Sequence, residues 1–174
     1  KANAYGHGAV EVAKLLEANG CDYLAGALLE EAVPIRESGV KTPILILGYS
    51  PAEYASELIK YNVTQSVGNL KFAEDLSREA VKAGGKVKVH IKLDSGMGRV
   101  GFTCHDGEDH LAEAEKVLAL PGLDVEGIFT HFAASDEDWG ESYTKQQYRD
   151  FADTVKKLEE RANFKFKIKH CSNT

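Results

Sequence analysis

The 174-residue sequence predicts an α/β fold, a (β/α)8 TIM-type barrel truncated at both ends, with its first strand partial and its last absent. Three observations carry that expectation. Short apolar runs and helical stripes alternate along the whole chain without a compositional break, and repeated strand–helix units call for a parallel sheet covered by helices. Strand bodies are built of Ile, Leu, Val and Phe, whereas the strand ends carry Lys, Arg, His and Asn. The first residue already sits inside a motif, and the final strand stops without a helix after it. Six complete strands are legible, plus the tail of another at Lys1, where a full barrel takes eight units and typically ~250 residues. An open doubly wound sheet is the structural alternative, and strand counting leaves it open.

The elements follow in order. After Gly8, apolar residues recur at Ala9, Val12, Ala13 and Leu16, a helical stripe that Asn19-Gly20 ends. Tyr23 to Ala27 is a short strand, and Leu28 to Ser38 is helical. Pro43 to Gly48 is apolar enough to be buried on both faces. Pro51 to Tyr61 is a helix with proline in its first turn. Val63 to Val67 is a strand; Asn69 caps the helix that runs to Ala83, and Gly84-Gly85 stops it. Lys86 to Asp94 alternates strictly between polar and apolar, and a glycine-rich loop, Ser95 to Gly101, follows. Roughly Gly107 to Leu120 is helical, Leu123 to Thr130 is a strand ending at His131, Ser142 to Ala162 is helical, and Phe166 to His170 is the last strand.

Composition narrows the function. Hydrophobic residues make up 43%, with no run of ~18 apolar residues, so no membrane span is expected. A formal charge of −6 without a basic cluster argues against nucleic acid as a partner. Cys21, Cys104 and Cys171 are odd in number and widely spaced, which is no metal or disulfide framework and suits reduced thiols in the cytoplasm. Cys171 adjoins His170, but adjacent residues of a strand point to opposite faces, so no nucleophile pair is expected there.

The chemistry concentrates in two stretches. Lys1-Ala2-Asn3-Ala4-Tyr5-Gly6-His7-Gly8 places a lysine, a tyrosine and a histidine within seven positions, just ahead of a helix. Lysine is the side chain that forms Schiff bases with carbonyl compounds, glycines let the backbone approach a ligand, and a helix N-terminus attracts a phosphate. Gly96 to Gly101 matches G-x-G-x-x-G, but the dinucleotide fingerprint opens a helix at once, whereas Phe102 to Gly107 delays one here. In a barrel strand the apolar face of Val87 to Asp94 packs under the helices, so His90, Lys92 and Asp94 point into the lumen, with His90 a satisfied core histidine.

The first stretch resembles the pyridoxal-phosphate attachment motif of the alanine racemases, fold-type III pyridoxal-phosphate enzymes. Lys92-Leu93-Asp94-Ser95-Gly96-Met97-Gly98-Arg99-Val100-Gly101-Phe102 is similar to a second signature of that family. Thr130-His131-Phe132-Ala133 and His170-Cys171-Ser172-Asn173-Thr174 resemble two more of its stretches. The resemblance implies that the chain is the pyridoxal-phosphate-binding barrel domain, with a C-terminal β domain outside it. It implies Lys1 as attachment point and base, with Tyr5 and Thr174 toward the cofactor phosphate and Arg99 on its phenolic oxygen. Leu47, His131 and Asn173 would be further cofactor neighbours, and Lys92 the lysine that some members carry as a carbamate. Thr174 stands where the family usually has serine and keeps the hydroxyl.

The function so implied is a cytoplasmic, homodimeric racemase that interconverts L- and D-alanine and supplies D-alanine for peptidoglycan. A second base, a tyrosine from the partner subunit, and an arginine facing the pyridine nitrogen would lie outside this stretch, so the 174 residues alone are expected to be inactive. Tyr143 and Tyr148 fall in a surface helix and are not that tyrosine. A racemase for serine or for several amino acids, and a non-catalytic pyridoxal-phosphate carrier, are the alternatives.

Overall fold

A computed structural model describes residues 2–105 and 111–173. Its strands are β1 Leu24–Gly26, β2 Ile44–Ile46, β3 Val63–Val67, β4 Val87–Asp94, β5 Phe102–Thr103, β6 Leu123–His131 and β7 Ile168–Ser172. Its helices are α1 Ala9–Ala18, α2 Leu29–Glu37, α3 Ala55–Lys60, α4 Leu70–Lys82, α5 Leu111–Leu118 and α6 Glu141–Arg161. The main sheet runs β1-β2-β3-β4-β6-β7, with short β5 hydrogen-bonded to β4, and every pairing is parallel.

The order decides between the two architectures. A doubly wound sheet reverses its strand order at a switch point. Here each strand of the main sheet lies beside its predecessor, and right-handed crossovers then place every helix on the same face. The sheet is an arc of a (β/α) barrel, with β1 and β7 its edges among the described residues.

The two faces of β4 show what this does to side chains. Val87, Val89, Ile91 and Leu93 join the core with Leu76 and Ala80 of α4 and Ala114 and Val117 of α5. His90, Lys92 and Asp94 lie on the opposite, lumen side, and they are buried as well. The alternation read from the sequence is therefore the alternation of the fold.

Helix ends follow their local chemistry. Asn69 Oδ1 accepts the Phe72 amide at 2.8 Å, which satisfies one of the orphan donors of α4. Gly84 takes φ +75° just past that helix, and the Gly85 amide donates back to the Ala80 carbonyl. Pro51 stands one step outside a 3-10 turn, Ala52–Tyr54, that leads into α3, so the helix expected from Pro51 begins as a tighter turn.

Three boundaries depart from the sequence reading. β5 is only two residues long, too short to leave a periodic trace. The last strand begins at Ile168 and not at Phe166, because the Phe166 amide donates to Glu159 Oε1 on α6 at 3.0 Å and its ring is buried. Helix α5 covers part of the stretch expected from Gly107, and residues 107–110 lie outside the described residues.

Candidate active site

The segment that opens the chain is tightly folded. Asn3, Ala4 and Tyr5 all adopt positive φ (50°, 50° and 56°), and Gly6 and Gly8 follow at 89° and 92°. Left-handed backbone costs a residue with a Cβ roughly 1–2 kcal/mol, so Ala4 and Tyr5 hold strained conformations that their surroundings must impose. Part of that constraint is visible. The Gly6 and Gly8 amides both donate to the Asn3 carbonyl, and Asn3 Oδ1 accepts the Ala9 amide at 2.9 Å, capping α1 from six residues away.

The loop after β4 is held from within. The Gly96 and Gly98 amides donate to Asp94 Oδ1 at 2.9 and 3.0 Å, and the Arg99 amide donates to Oδ2 at 3.0 Å. Burial alone would raise the Asp94 carboxyl, but those three amides outweigh it and hold it below the usual carboxylate range. The chain then returns as β5 against the end of β4, pairing Phe102 with Leu93 and Thr103 with Asp94. The glycine-rich loop thus opens onto a strand and not a helix, in keeping with the discounted dinucleotide fingerprint.

Lys92 is nearly buried, with Nζ 5.6 Å from the centre of the Phe129 ring. Burial pushes its pKa down, the Arg99 charge pushes it further, and Asp94 opposes both. A lysine in that state is readier than a solvated one to present a neutral amine.

Hydrogen-bonded directly beside β4, β6 carries one extra residue. Val89 pairs with Val125 but His90 pairs with Gly127, which leaves Glu126 as a bulge. Glu126 turns toward Tyr23, whose hydroxyl donates to Oε2 at 3.2 Å and lies 2.6 Å from Thr64 Oγ1. Burial pushes the Tyr23 phenol up to about 12. Beyond the bulge, Phe129 stacks on His170, ring centres 4.8 Å apart and planes within 6°.

His90 Nδ1 and His170 Nε2 share a proton-bridged contact of 3.1 Å. A Cβ on Gly127 would meet the His90 ring at 2.7–2.8 Å, so that position has room only for glycine. His90 was expected to be a satisfied core histidine; one nitrogen is satisfied, while Nε2 is buried with no hydrogen-bond partner. Burial, helped by His170, lowers the His90 pKa to about 4.

An acid sensitivity follows. The unfolded chain protonates His90 near its ordinary 6.5, whereas the folded chain resists until near 4. Its contribution to stability is therefore intact above about pH 6.5 and is lost as the pH falls toward 4. Urea unfolding is expected to show about 2 kcal/mol less stability at pH 5 than at pH 7.5. His90→Gln should flatten that slope, and an unchanged slope in the variant would assign the acid sensitivity to other groups.

Four of the residues singled out from the sequence meet at one cleft. Leu47, Lys92, Arg99 and His131 line a space of about 400 Å³ at the C-terminal ends of the strands, closed by Ala25, Gly26 and Phe129. A neighbouring space of about 550 Å³ shares Ala25, Leu47, Phe129 and His131 and adds His90, His170 and Asn173. Asn173 Nδ2 also donates to Asp136 Oδ1 at 2.7 Å, tying the end of β7 to the loop after β6. Tyr5 is not in either space; it lines another groove, against β1, α1 and α2, and is largely exposed. Lys1 and Thr174 lie outside the described residues.

Sequence reading overlooked two participants. Phe129 forms a wall of both spaces, and its alternation was masked by the bulge three residues earlier. Tyr143, set aside as a surface residue, donates its hydroxyl to the Gly96 carbonyl and so touches the Arg99 loop.

Comparison with known proteins finds one family model along the whole chain. Residues 1–174 match the family model described as alanine racemase, N-terminal domain. Alanine racemase 2 of Caldanaerobacter subterraneus subsp. tengcongensis is 45% identical over the whole chain, which covers 44% of that protein. The structure of a Clostridium difficile 630 alanine racemase in complex with cycloserine superposes with a TM-score of 0.91 at 43% identity, over 98% of this chain and 46% of that one. A histidine racemase from Leuconostoc mesenteroides subsp. sake superposes with a TM-score of 0.83 at 27% identity, over 98% of this chain and 44% of that one. The chain thus spans less than half the length of each of these relatives.

Proposed function

The chain belongs to the alanine racemase N-terminal domain family, and from that premise we propose that it is the cofactor-binding barrel domain of a pyridoxal-phosphate-dependent alanine racemase. The observation that carries the reading is the convergence of Leu47, Lys92, Arg99 and His131 on one cleft at the C-terminal ends of the strands, where barrel enzymes keep their chemistry.

The cleft's donor set fits the cofactor. Pyridoxal phosphate is flat, anionic and phenol-bearing, and the cleft offers apolar walls at Ala25, Leu47 and Phe129 beside two cationic side chains, Lys92 and Arg99. In this reading Lys1 is the covalent attachment point, and Arg99 holds the phenolic oxygen with a planar, permanently charged donor. His131 and Leu47 flank the ring. Asn173 and Thr174 add further contacts, Thr174 toward the phosphate; Tyr5, which lies outside the cleft, would have to swing in from its groove against β1 to reach that phosphate. When bound, the cofactor supplies an electron sink for the pair left on the α-carbon of an amino acid. Lys1 removes or returns the α-proton on one face; a tyrosine from the partner of a homodimer would serve the other.

Lys92 fits a further part of this proposal. Its lowered pKa makes the neutral amine easier to reach than on a solvated lysine, and that nitrogen can attack the carbon of CO2, forming an N–C bond and releasing a proton to water. The resulting carbamate would place a negative charge beside Arg99 and turn a like-charge contact into an attractive one.

Alanine is the proposed substrate, and a cytoplasmic supply of D-alanine for peptidoglycan the proposed role. Among the described residues no helix is long and apolar enough to cross a membrane. The histidine racemase similarity favours a second reading, in which the same barrel serves another amino acid.

The test uses the full-length protein with pyridoxal phosphate, offered L-alanine, L-serine and L-histidine in turn, with the D-enantiomers measured by chiral chromatography. Alanine is expected to be racemised at least ~10-fold faster than the others, a difference of about 1.4 kcal/mol in transition-state stabilisation. Preference for serine or histidine would overturn the substrate and keep the cofactor. No change in the visible spectrum on adding pyridoxal phosphate would overturn both.

A further inference from the structure

Helix α6 buries a stripe made of Gln147, Phe151, Thr154, Val155, Leu158 and Glu159. That spacing is the core-facing stripe of an amphipathic helix, and Gln147 stands where an apolar side chain would be expected. It is fully buried. A buried amide without partners costs several kcal/mol, so its hydrogen bonds must be accounted for.

They are, and they point in one direction. Gln147 Oε1 accepts the Ala133 amide at 3.0 Å, which fixes which way round the side-chain amide sits. Nε2 then faces Ser95 Oγ at 3.4 Å. Thr130 Oγ1 donates to the Leu93 carbonyl at 3.0 Å, so Ser95 must donate to Thr130 across their 2.8 Å contact. Each hydroxyl accepts from one neighbour and donates to the next, which is the arrangement that strengthens a buried chain of hydrogen bonds.

The two partners of the Gln147 side chain lie in the two loops that frame the cleft. Ala133 is two residues past His131, and Ser95 opens the loop that carries Arg99. We infer that Gln147 is a positioning residue that sets the Arg99 loop against the His131 loop and thereby the width of the cofactor cleft. This inference rests on the pyridoxal-phosphate reading for its consequence, but the clamp itself can be read without cofactor.

The experiment compares Gln147→Met, Gln147→Glu and Ser95→Ala in the full-length protein, with Val155→Ala as a control from the same helix stripe. Amide hydrogen exchange is measured on the apo form, and pyridoxal phosphate affinity by titration. Gln147→Met is expected to exchange the Ala133 amide about 10-fold faster and to weaken cofactor binding about 10-fold. Gln147→Glu keeps an acceptor for Ala133 and should restore its protection to within about 3-fold of wild type. Val155→Ala should lower the melting temperature while leaving both readouts in place.

Ser95→Ala covers the case in which Gln147→Met does not fold, since it cuts only the donor end. It should weaken cofactor binding while the Ala133 amide stays protected. Unchanged Ala133 exchange in Gln147→Met, or unchanged cofactor affinity in Ser95→Ala, would overturn the clamp. So would an equal loss of affinity in Val155→Ala, which would reduce Gln147 to general packing. Failure of the wild-type protein to bind pyridoxal phosphate would sink the functional reading instead, and the apo exchange data would still decide the clamp.

Discussion

Replacing Lys1 by alanine in the full-length protein is expected to remove both covalent retention of pyridoxal phosphate and racemisation. A single general acid–base group typically contributes ~10²–10⁴-fold, and Lys1 is proposed to serve as base and as anchor together, so a fall of ~10⁴-fold or more in turnover is the expected size. The side chain lies outside the described residues, yet the segment behind it is informative. Three consecutive non-glycine residues, Asn3, Ala4 and Tyr5, are held at positive φ beginning two positions after it. Backbone strain of this kind persists where the surroundings over-determine it, and functional sites are the usual place. Dialysis followed by a visible spectrum, and turnover of alanine, measure the two losses. A variant that keeps its colour through dialysis and its turnover would remove Lys1 from the proposal.

The second large effect is on the Arg99 loop. Gly101 has φ +136°, and a Cβ there would lie 2.7 Å from the Asp94 nitrogen and from the Leu93 carbonyl carbon. Those are backbone atoms of β4, which cannot swing aside as a side chain could. Gly101→Ala therefore combines a disfavoured dihedral with overpacking, and about 3 kcal/mol or more of stability should be lost. The loop would have to leave β4, taking β5 and the three amides that hold Asp94. Gly98→Ala is the matched control: φ is +71°, but nothing lies within 4 Å, so only the roughly 1–2 kcal/mol dihedral cost applies. Urea unfolding of both variants measures the difference. Equal losses would show that the close approach to β4 is immaterial.

Much of this site was readable from residue types alone. Strict alternation in Val87 to Asp94 separated the face under the helices from the lumen face, because side chains of a strand alternate by geometry. The polar ends of the strands marked the face where Leu47, Lys92, Arg99 and His131 gather. Asn69 and Gly84 placed the ends of α4 because capping depends on a few neighbouring atoms. β5 escaped notice since two residues have no period. Gln147 escaped because a buried glutamine and a solvated one look identical in a polar helix until the loops that it bridges are in place.

The sequence by itself determined the order of strands and helices, the two-sided character of β4 and the residue types offered at the strand ends, all of which depend on neighbours close along the chain. Which way the His131 side of β6 faces was decided only by the tertiary structure. Leu123 and Val125 point toward the helices, and unbroken alternation would send Phe129 and His131 the same way. The bulge at Glu126 adds one residue against β4 and flips every later side chain, which brings His131 into the cleft and Phe129 against His170. At the bulge the Glu126 carboxylate meets Tyr23, just ahead of β1, and Lys88 of β4, 103 and 38 residues away in the chain, a coincidence that no local pattern encodes.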